Sequence, residues 1–251
     1  MKAIRCNSYH GFKTKQILTS AILVCAAVAG VLAPVTASAS LVTGNASITI
    51  DNPAFIAANA WGNYVETHWG ANENTLAIDA STTGGTNLSI GGSNVMSFSV
   101  NTNTTTMSYP AAGAGGRTTQ ATTMDASNTA AGQIGLSGAL RVNGPGGLLT
   151  PYDFRLMKTS GIWNISTFDT SFSFNDFLTL SSVNESVNGN GELLLSGDLQ
   201  VTGLWAMMLG ADTTAVVGTF NLTPSAVPVP AAVWLFASGL LGLVATKRKK
   251  I

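Results

Sequence analysis

From residue 40 to residue 225 apolar positions tend to alternate with hydroxyl and amide side chains, the period of half-buried strands. Leu41–Ile50 ends in Ile48-Thr49-Ile50 and predicts a first strand. Thr75–Ala80 places Leu76 and Ile78 on one face. Asn87–Ile90, the glycine-bearing stretch 91–94 and Val95–Val100 read as a hairpin in which Met96, Phe98 and Val100 alternate with serines. Ile134–Val142 sets Ile134, Leu136, Leu140 and Val142 near one face around Gly138. Ile162–Phe177, Glu192–Val201 and Val216–Leu222 complete the set. Seven or more short strands with glycine-rich turns predict a mainly β fold, a single antiparallel sandwich or jelly-roll-like domain.

Two stretches depart from that period. Asn52-Pro53 reads as a helix start, with Asn52 as cap and Pro53 at the first helical position. Phe55, Ala58, Trp61, Val65 and Trp69 then recur at spacings of three and four, predicting a helix over 53–68. A shorter helical turn is expected at Leu204–Leu209, stopped by Gly210. The Ala-, Gly- and Thr-rich stretch 111–132 shows no period and reads as a mobile loop.

Charge divides the chain into three. All twelve acidic residues lie within 40–227, which holds only four bases, Arg117, Arg141, Arg155 and Lys158. A body of net charge −8 excludes a nucleic-acid-binding role, because nothing in it could neutralise a run of phosphates. The same stretch contains 86 Thr, Ser, Asn and Gly residues in 188, a balance of pleated surface and turns.

Residues 1–39 have the order of an export signal: a basic start, the apolar run Ile17–Ala33, Pro34, then Ala37-Ser38-Ala39. Cleavage after Ala39 leaves Ser40 as the new amino terminus. Both cysteines, Cys6 and Cys25, fall inside this segment, so the body has no disulfide to rely on.

At the other end Val227-Pro228-Val229-Pro230 precedes an apolar run, with 18 uncharged residues from Val229 to Thr246. At ~1.5 Å per residue such a helix spans ~27 Å, enough for the hydrocarbon core. Lys247, Arg248, Lys249 and Lys250 follow and hold the end in the cytoplasm. The body is thereby placed outside the inner membrane, on the side the export signal predicts. This order of motif, membrane helix (231–246) and basic tail (247–250) resembles the PEP-CTERM sorting signal of Gram-negative bacteria, in its VPLPA-type variant. The resemblance covers about 25 residues, and the usual glutamate between the prolines is Val229 here. It implies processing near the motif by an exosortase, an integral-membrane cysteine transpeptidase-like enzyme. It also implies a setting of exopolysaccharide and biofilm.

Candidate chemistry in the body is sparse. His68 is the one histidine left after the export signal, so a histidine–cysteine zinc site is excluded and a Ser-His-Asp triad would depend on it. Glu66 and Glu73 flank Trp69 and offer a carboxylate pair for glycoside hydrolysis. Trp61, Tyr64 and Trp69 could stack on a sugar ring, or line the core if the stripe is helical. Asn188–Glu192 only imitates a calcium loop and reads as a turn. No catalytic residue, metal or cofactor is assigned.

The expected organisation is an export signal (1–39), a β-domain (40–224) and a sorting signal (225–251). The expected partners are signal peptidase, exosortase, the inner membrane before processing, and exopolysaccharide. The expected role is that of a non-enzymatic surface or extracellular-matrix protein, structural or adhesive. The alternative is a secreted polysaccharide-binding module or a glycan-acting hydrolase.

Overall fold

The computed structural model describes residues 40–70, 85–102, 106–107, 117–145, 147–168 and 174–225. The export signal, the strand expected at Thr75–Ala80, Glu73, the motif Val227–Pro230, the apolar helix and the basic tail lie outside the described residues.

The body is mainly β. Its strands are β1 (Asn45–Asp51), β2 (Tyr64–Trp69), β3 (Thr86–Asn87), β4 (Ser93–Val100), β5 (Thr106–Met107), β6 (Arg117–Thr118), β7 (Ile134–Asn143), β8 (Tyr152–Thr159), β9 (Ile162–Phe168), β10 (Phe174–Val187), β11 (Leu193–Val201) and β12 (Val216–Thr223). Two helices, α1 (Asn52–Ala58) and α2 (Gly203–Leu209), interrupt them. All pairings between these strands are antiparallel.

The expected stacked sheets give way to one sheet closed on itself. Its order is β7-β4-β1-β12-β11-β10-β9-β8, and β8 pairs back onto β7, making an eight-stranded antiparallel barrel. The far edge of β7 is shared. Its first half pairs with β4 (Val100 opposite Leu136) and its second half with β2 (Val65 opposite Val142), which carries β3 as a short extension. Closure is narrowest between β4 and β7, where Ser99 and Val100 pair with Ser137 and Leu136. An eight-stranded ring is just wide enough to be filled by its own side chains, and Ile48, Ile50, Phe98, Leu136, Leu140, Phe154, Trp163, Ile165, Leu199 and Phe220 fill it.

The helix expected over 53–68 is one short helix followed by a strand. Asp51, not Asn52, caps α1, accepting from the Ala54 amide at 3.2 Å, while Pro53 sits in the first turn. Beyond Ala58 the chain turns through residues 59–63 and re-enters the sheet as β2. A spacing of four suits a helix and a regular strand alike, so the pattern from Val65 to Trp69 does not distinguish the two. The expected hairpin over 87–100 does not form: β3 pairs with β2, and β4 with β1 and β7. The long strand expected at Ile162–Phe177 is two strands, β9 and β10.

The expected loop at 111–132 is partly packed structure. Met124, Ala126, Thr119 and Thr122 are buried, and the Thr122 amide donates to the Asn101 carbonyl at 2.8 Å. Gly135 permits this: a Cβ there would stand 2.1 Å from the Gln120 carbonyl oxygen.

Two ends of the barrel follow from the register. Asn45 pairs with Thr223 at one end, hereafter the terminal end, where the chain enters and leaves the ring. Asp51, Val216 and both helices lie at the other, the helical end.

Candidate functional site

Irregularities in β2 and β8 set the arrangement of the candidate residues. In β2 the register against β7 shifts between Val65 and Thr67. Such a bulge inserts one residue and reverses the faces beyond it. Val65 therefore belongs to the barrel core, while Trp69, opposite Ala139, belongs to a second cluster on the outer face. In β8 the register shifts around Asp153, a buried residue at φ 52° whose carboxylate accepts from the Gln120 amide at 2.8 Å. Tyr152 is thereby turned to the same outer cluster.

That cluster joins Trp69, Ala139, Tyr152 and Phe168, with Phe174 packed against it. Tyr152–Phe168 and Phe168–Phe174 are edge-to-face pairs at 5.6 and 5.5 Å. Two guanidinium groups lie over its rings, Arg141 at 4.9 Å from Trp69 and Arg155 at 4.1 Å from Phe174. Trp69 is thus a packed aromatic of the sheet's outer face and presents no stacking surface.

The three candidate stacking residues are not brought together. Trp69 is buried, Tyr64 half-buried at the start of β2, and Trp61 is 53% exposed in the turn before it. Glu66 is engaged by the Asn143 amide at 2.9 Å and faces Arg141 at 3.7 Å. His68 is a strand residue, not a helix-surface one. Its ring meets the edge of Phe98 at 4.9 Å, so it points to the face opposite Trp69. Burial pushes its imidazole below the ordinary value, against a smaller opposing effect of a backbone hydrogen bond at Ser97. Asn188–Glu192 is a closed turn: the Asn188 side-chain oxygen accepts from the Asn190 and Glu192 amides. Among the described residues no three His, Cys, Asp or Glu side chains gather as a metal site.

Periodicity did not single out two features. Glu185 accepts from Thr129 at 2.6 Å, Lys158 at 2.7 Å and the Trp163 indole at 2.8 Å. Burial works to raise its carboxyl, but these hydrogen bonds and the ammonium charge outweigh it and hold it below the usual range. The second feature is the outer surface of the helical end. Trp205, Ala206 and Leu209 of α2 point into the barrel, where Trp205 packs on Phe177 at 5.0 Å. Leu204, Met207 and Met208 share the opposite helix face and point outward, Met207 being 79% exposed. Gly210, at φ 58°, ends the helix beside Trp61: a Cβ there would lie 3.6 Å from the Trp61 indole nitrogen. Val216, at the start of β12 on the same helical end, is also exposed. The signal for this surface was the pair Met207-Met208 in a helix whose other face is Trp205-Ala206-Leu209.

Among the described residues no helix is long and apolar enough to cross a membrane; the Val229–Thr246 segment lies outside them. No protein-family model, curated protein or solved structure matches this chain.

Proposed function

We propose that the chain is an exported bacterial surface or extracellular-matrix protein, sorted and processed by an exosortase. Its β-domain is structural or adhesive rather than catalytic, and its contact surface is the apolar rim of the helical end. The sorting part of this reading rests on the sequence of residues 227–250. One observation supports the choice of contact surface: the body's first and last strands are neighbours at the terminal end, and the rim lies at the opposite end. A tail held in the inner membrane from residue 231 onward would present Trp61, Leu204, Met207 and Met208 outward. Exposed aromatic and methionine side chains in contiguity mark interaction surfaces more often than scattered ones do. The setting of exopolysaccharide comes from the resemblance of the tail to the VPLPA-type signal.

The second reading, a polysaccharide-binding module, is favoured by Trp61 alone, because its indole is open to solvent. Sugar rings stack on such a face. The test is Trp61→Ala with Met207→Ser, made in the full chain in a host with its exosortase. The expected outcome is unchanged export and tail processing with loss of the matrix-bound fraction. Full retention in the matrix would overturn the rim as the contact surface. Quenching of tryptophan fluorescence by the host's purified polysaccharide, abolished by Trp61→Ala alone, would select the second reading.

A further inference from the structure

At the terminal end a cavity of about 300 Å³ is lined by the stretch Ser40–Thr43, by Ala126, and by Asn190, Glu192 and Leu193 from the β10–β11 turn. Glu192 is the charged residue among those that line it, and its two carboxylate oxygens differ. Oε2 accepts from the Asn188 side-chain amide at 2.7 Å. Oε1 is buried and has no hydrogen-bond partner. The backbone around it is fixed, since the Glu192 amide donates to Asn188 Oδ1 at 3.0 Å and its carbonyl accepts from the Asn188 amide at 3.0 Å. A buried carboxylate oxygen without a donor is unfavourable unless something supplies one.

The lining also includes the stretch Ser40–Thr43, which begins where the export signal is expected to be cut. The Ser40 carbonyl accepts from the Ala126 amide at 3.1 Å, and the Val42 amide donates to the Met124 carbonyl at 3.0 Å. Ser40 is therefore held at the cavity wall by its own backbone. In the uncut chain its nitrogen is a neutral amide with one hydrogen. After cleavage behind Ala39 it is an ammonium group with three donors and a positive charge.

We propose that the α-ammonium group of Ser40, created by signal cleavage, turns into this cavity and pairs with Glu192, so that maturation completes the packing of the terminal end. The ligand is the protein's own new amino terminus. The inference rests on the reading that Ala37-Ser38-Ala39 is the cleavage site. Another carboxylate near this wall is Asp125, which pairs with Leu41 in an isolated bridge and whose Oδ1 already accepts from the Ser127 amide and hydroxyl at 2.8 Å. Lys158 and Glu185 pair with each other elsewhere.

The test uses the full chain, exported and processed in a Gram-negative host, as wild type and as Glu192→Gln. Amino-terminal sequencing of each purified sample is done first, and a start other than Ser40 overturns the cleavage reading and the proposal with it. With Ser40 as the start, the α-amine is acylated at neutral pH by an amine-reactive ester, and the amino-terminal peptide is followed by mass spectrometry. A paired ammonium group gives up its proton at higher pH, so a rise of one unit slows the native wild type about tenfold relative to the variant. Because Glu192→Gln could fail to fold, the wild type is also compared with itself in concentrated urea. The melting midpoint of the wild type should fall by about 2–4 °C on acylation, while that of the variant stays put. Equal acylation rates in native and urea-unfolded wild type, after correction for exposure by a surface lysine peptide, would overturn the pairing while leaving the cleavage site intact.

Discussion

At the scale of single residues the asparagines of this chain do structural work that their frequency hides. Asn52 is fully buried between α1, β2 and the turn before β4. Its side-chain amide donates to the Val65 and Ser89 carbonyls at 2.8 Å each, and its oxygen accepts from the Val65 amide at 2.9 Å. Asn59 does the same for the turn into β2, holding the Phe55 and Asn63 carbonyls and the Trp61 and Asn63 amides. Composition marks these asparagines as turn formers, but burial decides their weight, and burial comes from the tertiary fold. Asn52→Ala would leave the buried Val65 amide and carbonyl without that partner, while the exposed Ser89 carbonyl keeps the Asn94 side-chain amide. It is expected to destabilise by on the order of 2 kcal/mol, read as a shifted midpoint in urea. Two titratable groups give separable pH effects. His68 is held below its ordinary value, so the unfolded chain binds the proton first and stability falls as pH drops through about 6.5. Glu185 is held below the usual carboxylate range, so its contribution is present near neutrality and is lost only as pH falls below about 4.3. His68→Gln should flatten the upper step of a melting-midpoint profile, and Glu185→Gln the lower one. A profile in which either variant changes the other's step would contradict this assignment.

Elements show what the alternation of apolar and polar positions reveals and where it stops. β1, β4, β7, β11 and β12 are legible because pairs such as Ile48 and Ile50, Met96 and Phe98, and Leu199 and Val201 alternate with polar neighbours, and each of these is buried. The short helix at Leu204–Leu209 is legible instead from an apolar run closed by Gly210, whose φ of 58° ends the helix. β8 carries an equally clear signal in Tyr152, Phe154 and Leu156, yet the buried acid at Asp153 and the register shift beside it disguise the strand. β2 hides behind a spacing of four that suits both periods, and a bulge then turns Trp69 away from the face that Val65 occupies. The candidate stacking stripe fails for that reason: its members lie on a turn, a strand start and an outer face. Pairing is a further matter, because which strands meet depends on contacts far apart in sequence, such as Asn45 with Thr223. Gly138 records one such contact. At φ 142° it lets β7 pass Phe98, and a Cβ there would lie 2.7 Å from the Phe98 ring and 2.9 Å from the Trp69 carbonyl oxygen. Gly138→Ala is expected to destabilise by about 2 kcal/mol or more, with broadened near-ultraviolet circular dichroism as Phe98 and its edge partners His68 and Phe154 shift. An unchanged melting midpoint would show that β7 and β4 are not in such close contact.

For the whole molecule, the decisive property is that the ring has two different ends. The terminal end joins β1 to β12 and carries the cavity beside Ser40, while the helical end carries the apolar rim. β12 runs from one to the other over eight residues, about 25 Å at strand rise. If Val227–Pro230 stands at the outer face of the inner membrane, the terminal end faces the bilayer and the rim faces away. Prolines disfavour helix at and just before their own positions, and on the sorting reading an extended motif is the form a protease-like site would grip. Pro228→Ala with Pro230→Ala should let helix propagate outward and block processing while leaving insertion intact, so the protein accumulates in the inner membrane with its tail. That trapped form permits an orientation test, because both cysteines, Cys6 and Cys25, precede Ser40 and residues 40–251 have none. Met207→Cys places a thiol on the rim, and Val187→Cys places one at the terminal end, where Val187 is also exposed. Spheroplasts treated with a bulky, membrane-impermeant maleimide should label the first several-fold faster than the second, and detergent should bring the two rates together. Four adjacent cations at the tail resist crossing the bilayer at about 2.5–3.5 kcal/mol each at its centre, so the trapped form has one topology to report on. Equal labelling in spheroplasts would mean that the rim is not held away from the membrane. Equal partition of wild type and the double-proline variant, both with the tail attached, would mean that the segment is a permanent anchor and the sorting reading is wrong.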